Sequence, residues 1–227
     1  MSYVPYPAAP PPHAPYAPHG GGPFGAQPPH AYREGMASGA APQGPLPGKG
    51  YRMGVLAAGI VALTFVILGV TTFVLGTALN INEREPPIVW FVVGWVLFMI
   101  GTMAINAKSI VALVWVHKMW TWLPEQERVS RMWSSRISPA QATFFLLIPY
   151  FQYYWMFVVN CALADAMDRM QISVAGPPKP SAKGTAIAAC VCTLVFFPAS
   201  IFLWHAYMKR VEETAALVHQ SRVPAMA

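Results

Sequence analysis

Carboxylates are missing from the apolar parts of this chain. Its nine Asp and Glu residues all lie outside four long apolar stretches, at about 53–79, 88–110, 139–163 and 184–207. Proton pumping and cation transport usually depend on an intramembrane carboxylate, so the pattern argues against both. Charge is sparse throughout: 11% of the 227 residues are charged and 55% are apolar, against about 25% charged in an ordinary soluble domain. Cysteine is scarce too. Cys161, Cys190 and Cys192 all fall within apolar stretches, which excludes a disulfide-stapled extracellular domain. On a helix Cys190 and Cys192 diverge by about 200° and do not clamp one metal, whereas Cys161 and Cys190 leave one interhelical bridge open. There is no His-x-x-x-His or Glu-x-x-His spacing and no Gly-rich loop ending in Lys-Ser/Thr, so no enzyme, metal or cofactor chemistry is expected. The net charge of +6 comes from basic residues that flank apolar runs. It makes no stripe for nucleic acid.

What is present is length of apolar chain. About 20 helical residues cross a hydrocarbon core of roughly 30 Å, and the four stretches predict an all-α membrane protein with four transmembrane helices. A Pro/Gly-rich segment of residues 1–50 precedes a membrane domain of 51–210, and a short tail of 211–227 follows it. The first 50 residues hold thirteen of the 23 prolines and nine of the 17 glycines. Such a segment buries too little to offset ordering its backbone and is expected to be disordered. It contains a partial duplication, Pro11-Pro12-His13-Ala14-Pro15-Tyr16 echoed by Pro28-Pro29-His30-Ala31-Tyr32. Its proline spacings favour polyproline II, which proline-recognition domains dock at little entropic cost; the plainer alternative is a solvated spacer. With no charged start and no early apolar run, the first span is expected to be the insertion signal.

Span one, Met53 to Leu79, carries Gly69 and Gly76, and span two carries Gly94 and Gly101. In span one the small-residue pairs Gly54/Ala58, Ala58/Ala62 and Gly69/Gly76 allow close backbone approach on their faces. Lys108 closes the second span as an interfacial anchor. Ser109 to Leu123 stays apolar and aromatic, so the helix either continues beyond the bilayer or bends along its surface. In the connection of 124–138, Val129, Met132, Trp133 and Ile137 recur at helical spacing with Arg128, Arg131 and Arg136 interleaved. This reads either as a short helix lying on anionic lipid or as an ordinary basic loop. Asp165, Asp168 and Arg169 read as a solvated helix end, and Trp204 as an anchor near the close of the fourth span.

The third stretch organises the rest. Ser138-Pro139 followed by Gln141 reads as N-cap, first-turn proline and N3 glutamine. Pro149, near the middle, frees the Phe145 carbonyl and predicts a kink. Gln152, Met156 and Asn160 recur every four residues, so the two amides share a drifting face; Tyr154 is a further candidate lining residue, and Trp155 is a packing element. Buried amides need partners. An interhelical hydrogen bond is the plainer reading, a substrate or ion site the sharper one.

The segment Ile148 to Phe157, IPYFQYYWMF, with Leu163-Ala164 after it, resembles a segment of uncharacterised bacterial four-helix membrane proteins, roughly I-P-F-F-N-x-Y-W-x-F. This chain has Tyr150 and Gln152 where that pattern has Phe and Asn. The resemblance implies a four-span layout and brings no catalytic residue. Some members of that group carry a small GYF-type proline-binding domain at the same end, which implies a proline-recognition protein as partner.

Eleven of the 15 Lys and Arg residues fall on one side of a four-span topology with both termini together. The positive-inside rule then places both termini in the cytoplasm and the chain in the cytoplasmic membrane. Taken together these features predict a non-enzymatic four-helix module that contacts membrane lipids, packs or homo-oligomerises through its third helix, and offers a proline-rich tail to protein partners. Two alternatives stand beside it: an oligomeric channel or transporter lined by Gln152 and Asn160, and a lipid-sensing or membrane-shaping protein.

Overall fold

The computed structural model describes residues 46–79, 88–175 and 181–222. Of the segment of 1–50 expected to be disordered, residues 1–45 lie outside these residues, whereas Leu46 packs on the core and Gly50 opens the first helix. The external loop of 80–87 and the Pro-rich break at 176–180 lie outside them too. Six helices and one two-stranded hairpin make up the described chain. Helices α1 (Gly50–Leu79) and α2 (Ile88–Trp122) are both long and apolar enough to cross a membrane.

These two helices pack side by side with opposite directions. A Cβ on Gly69 would lie 2.9 Å from the Phe98 amide nitrogen and 3.0 Å from the Gly94 carbonyl oxygen, and one on Gly94 would lie 3.1 Å from the Gly69 carbonyl oxygen. Only hydrogen fits there, so the expected close approach of small residues is realised between these two helices. Nearer the other end, Lys118 Nζ sits 5.0 Å from the centre of the Tyr51 ring. Helix α2 does not stop at Ala107. Its last third, with Trp115, Met119, Trp120 and Trp122, is buried.

The third and fourth apolar stretches are not single helices. The third begins as expected: in α3 (Pro139–Phe144) Ser138 Oγ accepts from the Gln141 amide at 3.1 Å, and Gln141 Oε1 accepts from the Ser138 amide at 2.9 Å. It then tightens into a 3₁₀ turn over Phe145–Leu147, breaks, and resumes as α4 (Phe151–Ala175). Trp155 Nε1 donates to the Ala142 carbonyl at 3.3 Å across 13 residues, a separation that spans about 20 Å in a continuous helix. The chain has reversed. Pro149 does more than kink it: Ile148 is extended, as a residue before proline prefers, and Tyr150 is left-handed with φ 64°. The fourth stretch does the same. Helices α5 (Ala182–Val195) and α6 (Phe197–Arg222) are separated at Phe196, and Trp204 Nε1 donates to Thr193 Oγ1 at 2.8 Å across 11 residues.

The connection of 124–138 is neither a surface helix nor a structureless loop. It holds a 3₁₀ turn at Glu125–Glu127, then β1 (Val129–Ser130) paired antiparallel with β2 (Ser135–Arg136). Ser134, at φ 52°, and Ser130 Oγ, which accepts from the Trp133 amide at 3.2 Å, close the turn. Hydrogen bonds local to Ser130 outweigh the apolar helical spacing. The solvated helix end is also revised. Arg169 pairs with Glu127 at 2.8 Å and Lys183 with Asp165 at 3.0 Å, tying α4 to its neighbours. Residues 211–222 continue α6, and Val211, Ala215 and Val218 are buried at helical spacing.

The result is an arm and a base. The base packs the last third of α2 and the start of α1 with α3, α4, α5 and α6 around Trp155, Leu163, Met167 and Tyr207. Its outermost contacts toward the arm are Ile201 against Gly59 and Phe197 near Lys108. Beyond them α1 and α2 pack on one another through Gly69 and Gly94. They leave Leu68, Val74, Val89, Trp95 and Met103 exposed.

Candidate functional site

Where the arm leaves the base, the turns of both short hairpins meet α2 and enclose a cleft of about 440 Å³. Lys108 and Asn106 come from α2, Gln152, Met156 and Asn160 from α4, Thr193 from α5 and Trp204 from α6. Several residues singled out in the sequence thus converge. Gln152 and Asn160 line this cleft with Lys108, and Trp204 forms part of its wall while bonded to Thr193. Tyr154 and Pro149 do not line it. Tyr154 is 44% exposed and touches the ring of Phe151 at 5.8 Å.

Lys108 is buried in the side of the arm's root, at 7% exposure. Its ammonium lies 4.8 Å from the centre of the Phe197 ring, and no carboxylate lies within 4.0 Å of it among the described residues. Asn160 is 1% exposed. Its Nδ2 donates back to the Met156 carbonyl at 2.8 Å, and its own carbonyl accepts from the Tyr207 hydroxyl at 3.0 Å. Its Oδ1 has no donor among the described residues. The expected interhelical bond at Asn160 is therefore made by its backbone. The side-chain oxygen is left over.

The other predicted residues have structural partners. Trp155 is fully buried between Phe145, Trp133 and Phe151, with ring centres 4.8, 5.1 and 5.7 Å away. Arg128 closes the end of α2, donating from Nε to the Leu123 carbonyl at 2.9 Å and from Nη2 to the Thr121 carbonyl at 3.1 Å. Arg136 forms an exposed pair with Glu125 at 3.7 Å. Arg131 and Trp133 stand in the turn between the two strands, both exposed. Sequence reasoning missed Asn106, Ser109 and Thr193. The polar group Asn106-Lys108-Ser109 at the end of an apolar run was the available signal.

Two carboxylates in the base carry an electrostatic load. Glu212 accepts from Trp115 Nε1 at 3.2 Å and lies 3.6 Å from Arg52; burial nonetheless pushes its carboxyl above the usual range, outweighing the pull of Arg52. Burial also raises Asp168, against the hydrogen bond from Ser181. All three cysteines are free thiols. No three His, Cys, Asp or Glu residues cluster as metal ligands among the described residues.

Comparison with known proteins finds no match, whether to a family model, to a curated protein or to a solved structure. The resemblance drawn from Ile148 to Phe157 rests on that segment alone.

Proposed function

We propose that this chain is a non-enzymatic protein of the cytoplasmic membrane, an adaptor whose two-helix arm crosses the bilayer and whose helical base lies at the cytoplasmic surface. The observation that carries the membrane reading is the match of length and exposure. From Ile88 to Ala107, α2 runs about 30 Å, the thickness of a hydrocarbon core, and over that length most of its large side chains face outward. Water would not tolerate such a surface.

Charge supports the orientation more strongly than it did on a four-span topology. Of the 15 Lys and Arg residues, only Arg84 lies between α1 and α2 in sequence. Those among the described residues sit at the root of the arm or in the base, the side that the positive-inside rule assigns to the cytoplasm. The adaptor reading rests on where the proline-rich segment begins. Leu46, the first described residue, packs on the core of the base, which the proposed topology puts on the cytoplasmic side, where proline-recognition domains can dock a proline-rich segment.

Affinity purification from native membranes tests this, using the full chain beside a version lacking residues 1–45. That boundary keeps Leu46 and Pro47, which the base half-buries and buries respectively. Partners lost with the segment support the adaptor. An unchanged set, or no partners, overturns it.

A further inference from the structure

We propose that the cleft at the root of the arm binds the phosphate headgroup of a membrane phospholipid, with Lys108 as the anchoring cation. This goes beyond the adaptor role and rests on the proposed bilayer-spanning arm. The first observation is the cation. A lysine only 7% exposed, with no carboxylate within 4.0 Å among the described residues, carries a charge that is costly to bury unless an anion compensates it. The Phe197 ring at 4.8 Å supplies only a weak partner. Methionine would fill the same space at no such cost, so the site is shaped for an anion.

The second observation is Asn160. Its Oδ1 is buried in the wall of the same cleft and has no donor among the described residues; as an acceptor it calls for a hydroxyl of the headgroup, such as the glycerol of phosphatidylglycerol, beside the phosphate that Lys108 holds. Gln152, on the same wall, adds an amide able to donate to phosphate oxygen.

The third is what surrounds them. Leu146, Leu147, Met156 and Val55 make the rest of the lining largely apolar, and the volume of about 440 Å³ suits a headgroup with the first carbons of its chains. An isolated phosphate ion has no use for such walls. The cleft also opens at the right depth. It lies about 30 Å along α2 from the far end of the arm, at headgroup level for a bilayer-spanning arm. Acyl chains leaving it run onto the exposed apolar surface of that arm.

The test uses the full chain purified in detergent and native mass spectrometry after titration with phosphatidylglycerol. One lipid per chain should remain bound to the wild type, and Lys108→Gln should weaken retention at least tenfold. Lys108→Arg should retain the lipid, as should Lys118→Gln, which removes a cation on the same helix outside the cleft. Diacylglycerol, which has the chains without the phosphate, should not bind. Equal retention by Lys108→Gln, or binding of diacylglycerol as tight as that of phosphatidylglycerol, overturns the proposal. Displacement of the lipid by millimolar inorganic phosphate also overturns it, making the site one for free phosphate. If Lys108→Gln fails to fold, Met156→Trp fills the cleft and leaves the cation in place; lipid retained by that variant is equally decisive against it.

Discussion

The arm and the base are made of the same kind of apolar helix, yet they dispose of it in opposite ways. Leu79, Val89 and Met103 of the arm are 73%, 71% and 72% exposed, whereas Trp120, Trp155 and Leu163 of the base are fully buried. Length of unbroken helix separates the two. Helices α1 and α2 run for 30 and 35 residues with no interior proline. The stretches of 139–163 and 184–207 each contain one, and each folds back on itself beside it, bonding Trp155 and Trp204 to their own first halves. An apolar run becomes a span or a core according to whether its backbone lets it remain straight.

That comparison can be broken at the base first. Trp155→Ala removes the indole on which α3 and α4 close, and a buried aromatic truncated this way costs about 3–5 kcal/mol. Tryptophan fluorescence melts should show the base loosened, while resistance to alkaline extraction from membranes, which reads the arm, should not change. Loss of both would mean that arm and base are one cooperative unit.

The arm is tested by Gly69→Val. Its new Cβ meets backbone atoms of the facing helix at 2.9 and 3.0 Å, and forced overpacking costs about 1–3 kcal/mol. Cysteine cross-linking between the two helices should fall, with the base melt unmoved. A smaller effect of opposite sign is expected at the turn of α3 and α4. Tyr150 holds a left-handed backbone with its side chain 87% exposed, so Tyr150→Gly should stabilise the base by ~1 kcal/mol in a denaturant titration. Destabilisation would show that the ring is held by something outside the described contacts.

The smallest effect concerns pH. Glu212 has a folded-state pKa raised by burial, so the folded base binds its proton more tightly than the unfolded chain does. The stabilising contribution is complete below the unfolded value of about 4.3 and is lost as pH rises through the raised folded value. Glu212→Gln, which retains an acceptor for Trp115, should melt higher than the wild type at neutral pH. The difference should close toward pH 4. A gap that is constant with pH would assign the effect to packing.

Much of this architecture was legible in the residues. The length of α1 and α2 followed from uninterrupted apolar sequence, a small residue at their contact from Gly69, and the start of α3 from Ser138 and Gln141, whereas Lys108, Gln152 and Asn160 were singled out without being brought together. The reversals were not legible. A proline within an apolar run permits a kinked span or a turn, and the choice is made by distant bonds, from Trp155 to Ala142 and from Trp204 to Thr193. The strand pair hid for a similar reason: the helical spacing of Val129, Met132 and Trp133 is real, but Ser130 and a left-handed Ser134 turn the chain first. The cleft needed both reversals, because its walls come from segments that a four-span reading keeps apart.

The arm's two helices are joined through residues 80–87 alone. On the proposed topology those few residues are all that biogenesis must carry across the bilayer, and no folded domain has to be threaded through. Their close packing through Gly69 and Gly94 lets the two helices enter together as a hairpin. The base can then complete its folding on the ribosome's side, against a membrane it never has to cross.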